Sequence, residues 1–183
     1  MSVLAQRLLA VHDALDAAAL PHAFGGAIAL AYCIEEPRGT RDIDVNIFVP
    51  SSRIDEALDA MPAGIVVTAT QRATAHRDGQ VRLFWDDTPV DVFFDTDEFH
   101  KHAAAGIGPV PFFGRTIPVL GCVALVVFKA MFDRTKDWAD IEAVAAANTP
   151  PTRQAAEHLA RILGPDDPRI ERLHTLISEI EAL

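Results

Sequence analysis

The chain has 183 residues, half of them hydrophobic, and a formal net charge of −10. That size suits one domain with a sizeable core and room for a small helical appendage. The charge argues against broad, sequence-independent nucleic-acid binding, which needs a basic face. No apolar run reaches the roughly 18 residues of a membrane span; the longest lies around residues 120–128. Arg7, His12, Asp13 and Asp16 interrupt the N-terminal stretch, which does not fit a secretion signal, so a cytoplasmic protein is expected.

In chain order, residues 3–19 set Leu4, Leu8, Val11, Leu15 and Ala18 on one stripe of 3.6-residue period, which predicts an amphipathic helix ended by Pro21. A short extended piece, His22 to Phe24, leads into Gly25-Gly26 and a buried helix over 27–35, broken by Pro37 and Gly39. Ile43, Val45, Ile47 and Val49 then alternate with Asp42, Asp44 and Asn46, the period of a strand. Pro50-Ser51-Ser52 precedes a helix from about residue 53 to 60. β-Branched and aromatic runs predict strands at 65–70, 81–85 and 90–94, with Asp78-Gly79 as a turn. A short helix at 97–105 and a hairpin over 110–119 around Gly114-Arg115 follow. One long helix is expected at 123–147, stopped by Asn148-Thr149-Pro150-Pro151, then two more at 152–163 and 168–182. Cys33 and Cys122 both fall in apolar helical segments and read as small core residues in a reducing compartment. The sum is an α/β (α+β) fold with a mixed sheet flanked by helices. Residues 1–120 form its core, and 121–183 form a C-terminal helical part packed on that core as a single unit.

The chemistry concentrates in the acids. On a strand, residues i and i+2 share a face, so Asp42 and Asp44 project together while Ile43 enters the core. Two such charges resist joint ionisation unless something offsets them, and a hard divalent cation is the natural partner. A third acid, Asp91, sits inside the apolar run Val90-Asp91-Val92-Phe93-Phe94, where an unpaired carboxylate is costly. Three carboxylates from two strands can hold two ions in the arrangement that serves phosphoryl and nucleotidyl transfer. Upstream, Gly25-Gly26 followed by Ala27 and Ala29 opens a helix whose backbone amides can face phosphates.

Together these residues resemble the DNA polymerase β-like nucleotidyltransferase superfamily, which carries a Gly-Gly or Gly-Ser before a helix, a D-x-D strand, and an acid on a later strand. Within it, the stretch from Phe24 to Val45 is similar to the branch of AbiEii/AbiGii abortive-infection toxins and mycobacterial MenT toxins. That branch has an Arg-x-Thr-x-Asp-(Ile/Leu)-Asp string, matched in order by Arg38, Thr40, Asp42 and Asp44. It also has a Lys on a late helix with an acid just after; Lys129 matches the Lys, and Asp137 or Asp140 the acid, with Asp140 favoured. The resemblance covers residues 22–145 and leaves the C-terminal tail without a motif.

The resemblance implies two Mg²⁺ ions on Asp42, Asp44 and Asp91, with Lys129 and Asp140 completing the catalytic set. Nucleotide contacts are expected from Gly25, Gly26, Thr40, Arg41, Lys129, Lys136 and Asp137. Asp91 would also orient or deprotonate the acceptor hydroxyl. Lys129 lies in an otherwise apolar helix and needs a partner; a β- or γ-phosphate would supply one. Arg134 reads either as a helper in neutralising substrate charge or as a local ion pair with Asp133, Asp137 or Asp140. His100-Lys101-His102 reads as a solvated helix face, and Trp85 and Trp138 as core. The expected activity is transfer of NMP from an NTP to tRNA, as the toxin of a toxin–antitoxin pair with a cognate antitoxin as partner. The competing readings are transfer to a small molecule, as in aminoglycoside nucleotidyltransferases, and a catalytically silent nucleotide-binding or regulatory module.

Overall fold

The computed structural model describes residues 1–95 and 98–182. The first helix, α1 (Val3–Ala17), is capped by the Ser2 hydroxyl and buries Leu8, Val11 and Leu15 along its stripe. It leads through β1 (His22–Phe24) to α2 (Gly26–Cys33) and β2 (Ile43–Ile47). A single 3₁₀ turn, Ser51–Arg53, precedes α3 (Ile54–Asp59). Then come α4 (Ala69–Asp78), β3 (Gln80–Trp85), β4 (Thr88–Phe94), α5 (Glu98–Ala105), β5 (Gly108–Phe112) and β6 (Arg115–Val119). Four helices finish the chain: α6 (Cys122–Phe132), α7 (Thr135–Ala147), α8 (Thr149–Leu163) and α9 (Pro168–Glu181).

The strands form one mixed sheet in the order β3-β4-β2-β1-β6-β5. Inside it, β2 and β4 pair in parallel, in register from Ile43↔Val90 to Ile47↔Phe94. One face of this pair is apolar: Ile43, Val45, Ile47, Val90 and Val92 are fully buried. The other carries Asp44, Asn46 and Asp91. Arg7 of α1 bonds Thr88 and Asp87, and Thr88 shares its face with Val90 and Val92, so α1 covers the apolar face. The acid-bearing face is left to α2, α6 and α7. The β5–β6 hairpin turns through Phe113 and Gly114, both at positive φ, the requirement of a tight primed turn.

Four expectations need correction. The strand predicted at 65–70 is reduced to one bridge, Ile65↔Trp85, and residues 69–78 are helical instead. Thr68 and Gln71 form a reciprocal capping box at that helix start, and Gly79, at φ 65°, closes it as a left-handed cap rather than a hairpin turn. The long helix at 123–147 is two helices, broken where Asp133 adopts φ 55°, a conformation Asp tolerates better than most residues. The Trp138 indole donates to the Asp133 carboxylate at 2.6 Å and pins the break. The acidic strand begins at Ile43, leaving Asp42 in the bend before it and Val49 beyond its end. Finally, Cys33 and Cys122 are half-buried and joined in a disulfide, with Cα atoms 5.5 Å apart. The expected start of the helix at residue 97 lies outside the described residues.

The disulfide ties the last residue of α2 to the first of α6 and closes a loop of 89 residues in sequence separation. Such a loop predicts stabilisation of about 4 kcal/mol through the unfolded chain. Thiol titration of the denatured, unreduced protein should find no free cysteine. The Cys33→Ser/Cys122→Ser variant should lose stability of that order in urea melts; two titratable thiols and an unchanged melt would contradict the linkage.

Candidate active site

The site is assembled around Asp44. Its strand places it beside Asp91 in the parallel ladder, so two carboxylates from neighbouring strands share one face. Its backbone carbonyl accepts from the Gly25 amide at 2.9 Å, which brings the entry of α2 against the carboxylate. Gly26 has φ 50°, and a Cβ there would stand 1.9 Å from Asp44 Oδ2. Any side chain at 26 would therefore occupy the space the Asp44 carboxylate uses. Gly25 is tight for a second reason: a Cβ would fall 3.1 Å from Asn46 Nδ2 and 3.2 Å from Leu120 Cδ1.

Burial, reinforced by the charges of Asp42 and Asp91, raises the Asp44 carboxyl to about 6, against the opposing pull of Lys129 and Lys136. Asp42 is held locally: the Thr40 hydroxyl donates to its carboxylate at 2.5 Å, and the Asp42 amide donates back to the Thr40 oxygen at 3.3 Å. Asp91 is gripped by a residue that the sequence reading passed over. Arg82, its partner across the antiparallel β3–β4 ladder, donates from Nε and Nη2 to the two Asp91 oxygens, both at 2.7 Å.

The opposite wall is cationic and comes from the two late helices. Lys129 is only 9% exposed. Its Nζ donates to Asp140 Oδ2 at 2.6 Å and lies 3.6 Å from Asp137 Oδ1. Asp137 is 1% exposed. Burial works to raise its carboxyl, but the paired hydrogen bonds from Arg134, with Lys129 nearby, outweigh it and hold the group below the usual range. Asp140 also accepts from Arg38 at 3.1 Å, joining the early string to the late pair. The break between α6 and α7 makes this possible, since it folds α7 back beside the lysine of α6.

Asp42, Asp44, Asp91, Lys129, Lys136, Asp137 and Asp140 thus line one cavity of about 750 Å³, together with Gly26 and Arg82. Arg41 is exposed, and neither it nor Thr40 lines that cavity; Thr40 reaches it only through Asp42. His100 departs from its expected place on a solvated helix face: it is buried, lines the cavity and lies 5.0 Å from the Phe128 ring, while Lys101 and His102 are exposed. Trp138 is core, as expected.

Among the described residues, no group of three or more His, Cys, Asp or Glu side chains converges as a metal site. Asp91 is instead turned to Arg82, and Asp42 to Thr40. The donor chemistry still fits a hard divalent cation. The lining carboxylates are oxygen donors, burial and mutual repulsion leave Asp44 short of positive charge, and the bare Gly26 backbone keeps Asp44 Oδ2 uncovered by a side chain.

No family model matches the chain, and no curated protein does. Solved structures are similar to it in fold. The antibiotic-resistance factor ANT(2'')-Ia superposes with a TM-score of 0.60 at 13% identity, over 87% of this chain and 92% of that one. The same factor in complex with adenylyl-2''-tobramycin gives 0.57 at 15% identity, over 99% and 98%. The lincomycin-bound lincosamide antibiotic adenylyltransferase LnuA gives 0.52 at 13% identity, over 78% and 97%. These likenesses show the nucleotidyltransferase fold.

Two outcomes follow from the geometry. Because the folded Asp44 value of about 6 lies above the ordinary 3.8, the fold favours the protonated acid. That contribution is complete below the lower value, is lost as pH rises through the upper one, and leaves the ionised group unfavourable above it. In metal-free buffer Asp44→Asn should therefore melt above the wild type at about pH 8, by on the order of 2 kcal/mol, with the gap closing below about pH 4. A gap independent of pH would refute the assignment. Gly26→Ala should cost on the order of 2 kcal/mol from positive-φ strain and contact with Asp44. Adding Asp44→Gly should recover the contact part in a double-mutant cycle; strict additivity would show that the two residues do not meet.

Proposed function

We propose that the protein is a divalent-metal-dependent nucleotidyltransferase that moves NMP from an NTP to an acceptor hydroxyl and releases pyrophosphate. The observation that carries this reading is the placing of Asp44 beside Asp91 in the β2–β4 ladder, at a helix entry cleared by Gly26 and facing Lys129. Asp42, Asp44 and Asp91 would hold the cation, which supplies charge neutralisation at the triphosphate and acidifies the acceptor hydroxyl. Asp91 orients that hydroxyl and takes its proton as the oxygen attacks the α-phosphorus. The bond from the α-phosphorus to the oxygen bridging to the β-phosphate breaks, and pyrophosphate carries away the electron pair. Lys129 faces the developing negative charge, held by Asp140 and Asp137. Lys136 and Arg134 add positive charge to the same wall. A catalytically silent module would have no use for so costly a set of facing charges.

For the acceptor, a small hydroxylated molecule is the better supported class. A net charge of −10 is ill suited to a polyanionic RNA, and the superposition on ANT(2'')-Ia, solved in complex with adenylyl-2''-tobramycin, runs nearly end to end. Transfer to tRNA, as the toxin partner of an antitoxin, is the second reading. It is favoured by the Arg38, Thr40, Asp42 and Asp44 string and by the Lys129–Asp140 pair that the toxin branch also carries.

Purified protein incubated with Mg²⁺ and each α-³²P-labelled NTP should transfer label to one acceptor class, presented in parallel as aminoglycosides, lincosamides and total tRNA, and Asp42→Ala should reduce transfer by about 10²-fold or more. Label on the small molecules supports the first reading and label on RNA the second. Intact protein that binds no NTP would end the enzymatic proposal.

A further inference from the structure

Arg82 belongs to no motif that the sequence displays, yet it makes the most complete contact of any residue with the acid cluster. Both oxygens of Asp91 are taken by its guanidinium, the planar fork-to-carboxylate pairing that arginine alone can form. The two partners differ in setting. The Asp91 side chain is 16% exposed and fixed on a central strand, whereas the Arg82 side chain is 56% exposed on the edge strand β3. The acid is therefore the anchored partner and the arginine the arm that can leave. Arg82 lines the same cavity as Asp42 and Asp44. Arg82 is thus a counter-charge set in the acid cluster, and a cation bound through Asp91 competes with the guanidinium for the charge of the same two oxygens.

We infer that Arg82 is a positioning residue that stands in for the divalent cation in the metal-free protein, holding Asp91 in place and releasing it when metal binds. The inference rests on the proposed metal-dependent reading. Release returns the 56%-exposed Arg82 side chain to water, and the charge of the bound cation replaces the guanidinium at Asp91. Release leaves the guanidinium on the wall of the same cavity. Loss of Arg82 would do two things at once. It would free both Asp91 oxygens, and it would remove a positive charge that repels the incoming ion. Each tightens metal binding, while the metal-free protein loses the charge that relieves repulsion between Asp44 and Asp91.

The test is Mn²⁺ binding followed by loss of the free-ion EPR signal, with melting temperatures measured in parallel, on wild type, Arg82→Gln, Arg82→Lys, Asp44→Asn and the Arg82→Gln/Asp44→Asn double variant. Arg82→Gln should bind Mn²⁺ about tenfold tighter than wild type, with Arg82→Lys between them, and Asp44→Asn should abolish the gain. Arg82→Gln should melt lower than wild type without metal and equal to it at saturating Mn²⁺. An unchanged or weaker affinity in Arg82→Gln, with wild-type binding still lost in Asp44→Asn, would overturn the inference and leave the metal-dependent reading standing. A pair serving only to hold β3 against β4 would give that result, with reduced stability at every metal concentration. If neither wild type nor Arg82→Gln binds Mn²⁺, both fall.

Discussion

The structure is organised by one electrostatic problem: the parallel pairing of β2 with β4 sets Asp44 beside Asp91 on a face that the fold then partly buries. Two neighbouring carboxylates in a setting of reduced dielectric repel strongly. What surrounds them offsets that repulsion. Arg82 takes both oxygens of one acid, Thr40 donates to Asp42, and Lys129 and Lys136 pull Asp44 back toward ionisation. The apolar side of the same strands carries the opposite chemistry, with Ile43, Val45, Val90 and Val92 fully buried. The period of a strand therefore serves both ends: one set of alternate residues stabilises the sheet and the other concentrates charge where a substrate can reach it.

The cationic wall poses the converse problem, and backbone geometry solves it. Lys129 is buried on an apolar helix and needs acids close by. An unbroken helix would carry Asp137 and Asp140 steadily away from it, at about 1.5 Å per residue. The left-handed turn at Asp133 instead brings α7 back along α6, so that the lysine meets Asp140 at 2.6 Å. The side chain at the break is itself used, as the acceptor for the Trp138 indole. Arg38 then links Asp140 to the segment just ahead of the acidic strand, coupling the two halves of the site through one carboxylate.

What the sequence revealed and what it hid have physical reasons. The alternation through Ile43, Val45 and Ile47 is strong because one face is fully buried, and the paired glycines reflect crowding, by Asn46 and Leu120 at Gly25 and by Asp44 at Gly26. Lys129 stood out as a charge in an apolar run. The helix over Ala69–Asp78 escaped because its surface is largely polar and shows no apolar stripe; its one clear sign was the Thr68–Gln71 capping pair. The break at Asp133 was masked because the apolar period continues on both sides of it. Arg82 was invisible because its role is fixed by a cross-strand partner nine residues away, and a lone arginine on an exposed strand position carries no periodic signature. The cysteine pairing is a tertiary fact, 89 residues apart in sequence. The same holds for His100, whose burial depends on α6.

That cysteine pair has a topological consequence. Cys33 and Cys122 bound a covalently closed ring that contains Asp42, Asp44, Arg82 and Asp91, while Lys129, Asp137 and Asp140 lie on the tail that leaves it. A protease cutting anywhere inside the ring severs the polypeptide without separating the pieces: the nicked molecule gains only one water and runs as two fragments only after reduction. A cut between Cys122 and Lys129 leaves the lysine and the helices after it with no covalent tie to the ring. The acid half of the site is therefore built to survive chain cleavage as one covalent body, and the cationic half is not.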